Sequence, residues 1–193
     1  MGANGWSAVA GVGSTVLALA AVAIALAAYR SERRRARFES ARALHDGLTT
    51  GEVAAARAIT GYLHYGEFHG DSHDVTAGLN AYFTLLWCFE RIEAGRTALL
   101  RDSFRGGAKG DGAVQYLDSL IAWHVAEYAC GLATARRKLA EAAGRNVSDP
   151  RSTVSFGHLL HALQDGGLVD RSYQVAVCPG ATCPCDCHQV STT

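Results

Sequence analysis

The run Ser7–Tyr29 carries no charged side chain and is followed at once by Arg30, Arg33, Arg34, Arg35 and Arg37. As an α-helix it reaches about 35 Å at about 1.5 Å per residue, enough to cross a hydrocarbon core about 30 Å thick with some tilt. Length and the cationic stop together predict a membrane span over residues 7–29, with a basic juxtamembrane helix over 30–46. The Arg cluster holds its own side in the cytoplasm, which leaves residues 1–6 outside and the bulk of the chain inside. Two other readings compete. A cleaved secretory signal finds possible cleavage triplets such as Ala18-Leu19-Ala20, but Met1–Trp6 has no Lys or Arg and the basic residues lie on the wrong side of the apolar run. A buried helix of a water-soluble protein is the other, since the run is rich in Ala and includes Gly11, Gly13, Ser14 and Thr15. Length and flanks favour the bilayer as the first partner.

The same arginines can attract anionic headgroups, each worth about 1 kcal/mol near the surface, although a solvated topology signal accounts for them more simply. Small residues four apart, such as Ala10 and Ser14 or Ala21 and Ala25, would let two spans approach, although a helix so rich in Ala makes such matches by chance. A protein partner or self-association is expected.

Beyond the basic flank, about 150 residues remain, enough for one core. The full chain balances 18 basic against 18 acidic residues, so no global field draws it towards nucleic acid, and no basic, aromatic-laced element suggests such a partner. Lys occurs only at Lys109 and Lys138, with Arg supplying the other cations.

Where the pattern is regular it is helical. The helix entering at Arg30 should stop near Gly47. Thr49-Thr50-Gly51-Glu52 offers a capping box, with Thr49 as N-cap, opening a helix to about Tyr65. A loop over residues 66–72 leads to Asp71 or Ser72 as the next cap. The following helix repeats Leu79, Tyr82, Leu85, Leu86, Phe89 and Ile92 at steps of three and four. Four glycines in Arg105–Gly112 mark a turn. The longest apolar stripe follows, at Val114, Leu117, Ile121, Val125, Tyr128 and Leu132, in a helix reaching about Ala143 before Gly144. Asp149-Pro150 opens a shorter helix through Phe156, Leu160 and Leu163, closed by Gly166-Gly167. The fold class is therefore all-α: an N-terminal transmembrane helix, a compact cytoplasmic bundle over residues 47–167, and a flexible Cys-rich tail over 168–193.

Three groups have side chains suited to chemistry. The tail holds Cys178, Cys183, Cys185, Cys187 and His188, a density of thiolates that suits Zn or Cu(I). Its C-x4-C-x-C-x-C spacing is not the paired C-x2-C of structural zinc sites, and in a reducing cytoplasm the residues also read as an oxidation-prone end. The loop region with His64, His69 and His73, interspersed with acids, is a second possible ligand set, against the plainer reading of a polar connection. On helices, His158, His161 and Asp165 share a face opposite the apolar residues, and His124 pairs with Glu127 three residues on. His124, between Ile121 and Tyr128 on the helix surface, reads as a hydrogen-bonded residue at the core edge. Cys88 and Cys130 lie in apolar stripes, where a thiol behaves as a small hydrophobe. No phosphate-binding Gly loop, H-E-x-x-H or G-x-S-x-G occurs, so no catalytic residue is assigned and an enzyme is the minority reading.

The segments His45–Val53, Ala81–Arg91 and Leu120–His124 resemble those of small bacterial membrane proteins with one N-terminal span and a cytoplasmic helical domain. The resemblance covers roughly residues 7 to 145, leaving out the Cys-rich end. It implies a bacterial plasma-membrane protein of this architecture and carries no assigned reaction. The expectation is a membrane-anchored interaction or regulatory module, with a metal-handling protein that uses the Cys cluster as the alternative.

Overall fold

The computed structural model describes residues 4–66, 68, 70–102 and 112–173, with their side chains from Leu17 on, Ser72 excepted. Five helices and no strand occur among the described residues: α1 Asn4–Thr49, α2 Gly51–Tyr65, α3 Ser72–Asp102, α4 Gly112–Ala143 and α5 Pro150–Asp165. The all-α class follows. By compactness the chain divides into two units, Met1–Glu39 and Ser40–Thr193.

Among its described residues the first unit is helix alone. From Leu17 to Arg30 every residue is exposed, and Leu17, Leu19, Val22, Ile24, Leu26 and Tyr29 are 49–73% accessible. These side chains lie on opposite sides of the helix, so no single stripe marks a face for packing. Among the described residues, no helix is long and apolar enough to cross a membrane. The predicted Ser7–Tyr29 span lies partly on residues 4–16, whose side chains are outside the described residues. Its remainder, 17–29, covers about 20 Å of helix, short of a hydrocarbon core of about 30 Å.

The second unit has one core. Its first contribution comes from the end of α1, where Ala41 and Leu48 are fully buried. The expected stop at Gly47 is not used, because α1 runs on to Thr49. The capping box is not formed either. Thr50, not Thr49, precedes α2, in extended conformation (φ −126°, ψ 167°) and without a side-chain cap bond. Both hydroxyls turn back instead: Thr50 Oγ1 donates to the Asp46 carbonyl at 2.7 Å and Thr49 Oγ1 to that of His45 at 3.3 Å. Hydroxyl groups here serve the carbonyls of the helix that ends rather than the amides of the helix that begins. Gly51 supplies the break, with φ +60°.

α3 is central and packs against α2, α4 and α5, while α4 also meets α2 and α5. Asp71 caps α3 by accepting from the Asp74 amide at 2.8 Å. The two predicted stripes point inward. Tyr82, Leu85, Leu86, Phe89 and Ile92 of α3 are buried, with Leu79 packed at the margin, and so are Val114, Leu117, Ile121, Val125, Tyr128 and Leu132 of α4. Phe89 sits among rings, 4.8 Å from Phe156 of α5 and 6.0 Å from Tyr128 between centroids. Each such side chain, fully buried, contributes about 1.5–3 kcal/mol of apolar transfer. Arg96 clamps α3 to α4 through both oxygens of Asp118, at 2.7 and 2.9 Å.

α4 ends as expected, with Gly144 at φ +62°. α5 begins as expected too. Asp149 accepts from the Ser152 amide at 3.2 Å, Pro150 occupies the first turn, and Gly167 follows the helix at φ +71°. The Gly-rich turn predicted over 105–112 falls almost wholly outside the described residues.

Candidate functional site

The predicted metal ligands are only partly placed. Cys178, Cys183, Cys185, Cys187 and His188 lie outside the described residues, as does His69. His64 is half-buried near the end of α2, its ring edge-on to Tyr65 with centroids 4.3 Å apart, whereas His73 is exposed at the start of α3. Among the described residues no three His, Cys, Asp or Glu side chains are grouped to hold a metal ion. His158 and His161 are exposed on α5, with His161 Nδ1 3.2 Å from Gln164 Oε1. Cys88 is a buried free thiol, its Sγ 3.7 Å from the Gly47 carbonyl. Burial raises the thiol's pKa, and the neighbouring Arg91 and Arg57 only partly oppose that.

The polar group that reaches into the domain was not visible in the sequence reading. α2 and α4 lie side by side in the same direction. Tyr128 donates to the Arg57 carbonyl at 3.3 Å, a Cβ on Gly131 would meet the His64 ring at 3.8 Å, and Lys138 donates to the Gly66 carbonyl at 3.1 Å. Along this seam α2 places Arg57, Thr60 and His64 at i, i+3 and i+7, one face of a helix. α4 answers with His124, Tyr128 and Gly131. The end of α1 adds His45, whose ring centroid is 6.0 Å from that of His124.

Thr60 is wholly buried and its hydroxyl has no hydrogen-bond partner; Arg57 Nε and His124 Nδ1 are buried and equally unpartnered. A polar atom left so costs about 1–3 kcal/mol. His124, expected to be hydrogen-bonded, is instead held neutral. Burial, then the charge of Arg57, then His45 lower its pKa to about 4. The signal in the sequence was the i, i+3, i+7 spacing of Arg57, Thr60 and His64 beside the apolar Ala56 and Leu63. A polar triad at that spacing reads equally as a solvated face, and only the placement of α4 against it decides.

On the outside of the domain, Trp123 is 63% and Trp87 55% exposed. Trp87 stacks on Phe83 at 5.7 Å and donates to Asp149 at 2.9 Å, whereas Trp123 meets only the His124 ring edge among the described ring contacts, at 5.0 Å. An open groove of about 530 Å³ lies between the end of α1 and α3, lined by residues that include Leu44, Gly47, Arg91, Gly95, Leu99 and Asp102.

Compared with protein-family models, curated proteins and solved structures, the chain matches none. Its function is therefore argued from its own residues.

Proposed function

We propose that this chain is a single-pass membrane protein of a bacterial plasma membrane, anchored through Ser7–Tyr29, whose cytoplasmic helical domain acts as an interaction or regulatory module. The observation that carries the reading is the α1 segment 17–29, exposed at every residue and apolar on opposite sides, directly followed by Arg30, Arg33, Arg34, Arg35 and Arg37. Water is a poor solvent for such a helix, and lipid is a good one. The arginines then sit at the headgroup level on the cytoplasmic side. Exposed Trp87 and Trp123 support the interaction role, since aromatic side chains anchor protein contacts out of proportion to their number. The partner is a protein or a second copy of the chain; the balanced charge gives nucleic acid no purchase.

Labelling of intact cells with an impermeant thiol reagent tests this. Asn4→Cys is expected to label from outside, while Asp111→Cys and the wild-type chain, whose own six cysteines all lie beyond the span, stay unlabelled until the cells are opened. Labelling of wild type in intact cells reverses the orientation. Release of the protein from membranes by alkaline carbonate removes the anchor altogether.

A further inference from the structure

We infer that the seam between α2 and α4, at its junction with the end of α1, is a binding site for a small oxyanion, a carboxylate or phosphate group, held by Arg57, Thr60 and His124. The site rests on the domain's interior alone, so it stands or falls separately from the anchor. Three buried atoms without a hydrogen-bond partner lie along this seam on two helices, Arg57 Nε, the Thr60 hydroxyl and His124 Nδ1; Arg57 and Thr60 share one face of α2, and the charge of Arg57 acts on His124. Arginine and threonine bring donors, and the neutral imidazole can present Nδ1–H in the fitting tautomer.

No acid answers the arginine. Among the described residues Arg57 has no ion-pair partner, although Arg96, Arg137 and Arg151 are all paired. The carboxylates nearest the seam are engaged elsewhere. Asp46, beside His45 at 3.7 Å, faces solvent and lies 3.8 Å from Arg42, and Glu127 accepts from the Tyr65 hydroxyl at 2.5 Å. From α3 come the Cys88 thiol, kept protonated by burial and near the charge of Arg57, and the Arg91 guanidinium 3.7 Å from that thiol. Arg57 is half-buried, its Nε shielded from solvent with no acid beside it, and an anion supplies the missing counter-charge. Forked guanidinium donors fit two oxygens of such a group. Bundle interiors commonly build ligand sites from facing helices in this way. His45, its side chain 23% exposed, and half-buried Arg57 give the way in from solvent.

Binding has a signature that packing alone lacks. An anion beside His124 favours its imidazolium, so the midpoint of that histidine rises from about 4 as the site fills, and affinity grows as pH falls towards it. The full chain in detergent micelles, with labelled histidine, is titrated separately with sodium acetate and with inorganic phosphate, at ionic strength matched by sodium chloride. A saturable upward shift of the His124 midpoint with either anion, together with a raised melting temperature, is expected; the anion that produces it names the class, and both together mean a site that reads only the shared oxygens. Arg57→Met should raise the His124 midpoint without any anion, by removing the neighbouring cation, and should abolish the anion response. Thr60→Val keeps shape and burial, leaves the chain folded, and weakens binding about tenfold or less, one hydrogen bond's worth. A folded wild-type chain that shows no shift with either anion overturns the site, and so does a response that survives Arg57→Met.

Discussion

Leucine is used in opposite ways in the two units. In the segment 17–29, Leu17 is 73% and Leu19 66% exposed, whereas Leu117 and Leu163 of the domain are at 0%. Helix propensity is the same for both sets, so what differs is the surroundings: the packed helices of one core for the domain, an open surface for the arm. The arm's helix is held by backbone bonds and by exposed i,i+4 pairs such as Arg35–Glu39 at 2.8 Å, worth about 0.3–0.5 kcal/mol each. The domain's helices are held by packing. The arm keeps its apolar side chains in the open, whereas the helices of the domain hide theirs against one another.

The largest test of that contrast is Ile121→Ala in α4. The side chain is fully buried, so truncation should cost about 2–5 kcal/mol, seen as a large drop in the thermal midpoint of the domain. A melt unchanged from wild type would mean that α4 does not pack as described.

The polar seam inside the domain predicts the next largest effect. Folding keeps His124 neutral down to about pH 4, while the unfolded chain takes up its proton near the ordinary value of about 6.5. Between those values the unfolded state binds more protons, so stability rises with pH through the window and is lost as pH falls. The full shift would correspond to about 3.4 kcal/mol, and screening by solvent at the edge of the core lowers the contribution to about 1–2 kcal/mol. Melts at steps across that window should show the slope in wild type, and His124→Leu should flatten it. An equal slope in the variant would assign it to another group.

How far these features were legible depends on what each residue's period can say. The stripes of α3 and α4 were readable because Tyr82, Leu85 and Phe89, or Leu117, Ile121 and Val125, are apolar at helical spacing and nothing else satisfies that pattern. Asp71, Asp149 and Gly144 marked helix ends through chemistry confined to one turn. The α1–α2 break falls one residue beyond the cap that the sequence predicts, since Thr49 and Thr50 can bond forwards to amides or backwards to carbonyls, and tertiary context chooses. Arg57, Thr60 and His64 do not stand out as a site in the sequence, because a helix does not announce which neighbour covers its polar face. His124 was placed correctly near the core, but its missing partner is a property of α2 and α1 together.

A smaller effect is expected where α5 begins. Asp149 accepts from the Ser152 amide at 3.2 Å, the Ser152 hydroxyl at 2.9 Å and Trp87 Nε1 at 2.9 Å. Burial pushes this carboxyl's pKa up, but those bonds outweigh it and hold the value below the usual carboxylate range. Asp149→Ala should cost about 1 kcal/mol as a lost cap and alter Trp87 fluorescence, since the indole loses its acceptor. Unchanged emission would show that Trp87 does not rest on the α5 N-terminus.

The smallest expected effect carries the contrast back to the arm. Leu19→Ala removes the same atoms as Leu117→Ala, yet Leu19 has no packed neighbour to lose, so the domain's melting in detergent should move by no more than about 0.5 kcal/mol. Leu117→Ala, at a fully buried site, should lower it by about 2–5 kcal/mol. If the arm is the proposed anchor, several such replacements between Leu17 and Leu26 should weaken retention by membranes while leaving the domain's helical circular dichroism and melting alone. Equal destabilisation by Leu19→Ala and Leu117→Ala would mean that the arm is covered by protein rather than by lipid. Full membrane retention after four or five such replacements would shift the anchor away from 17–26.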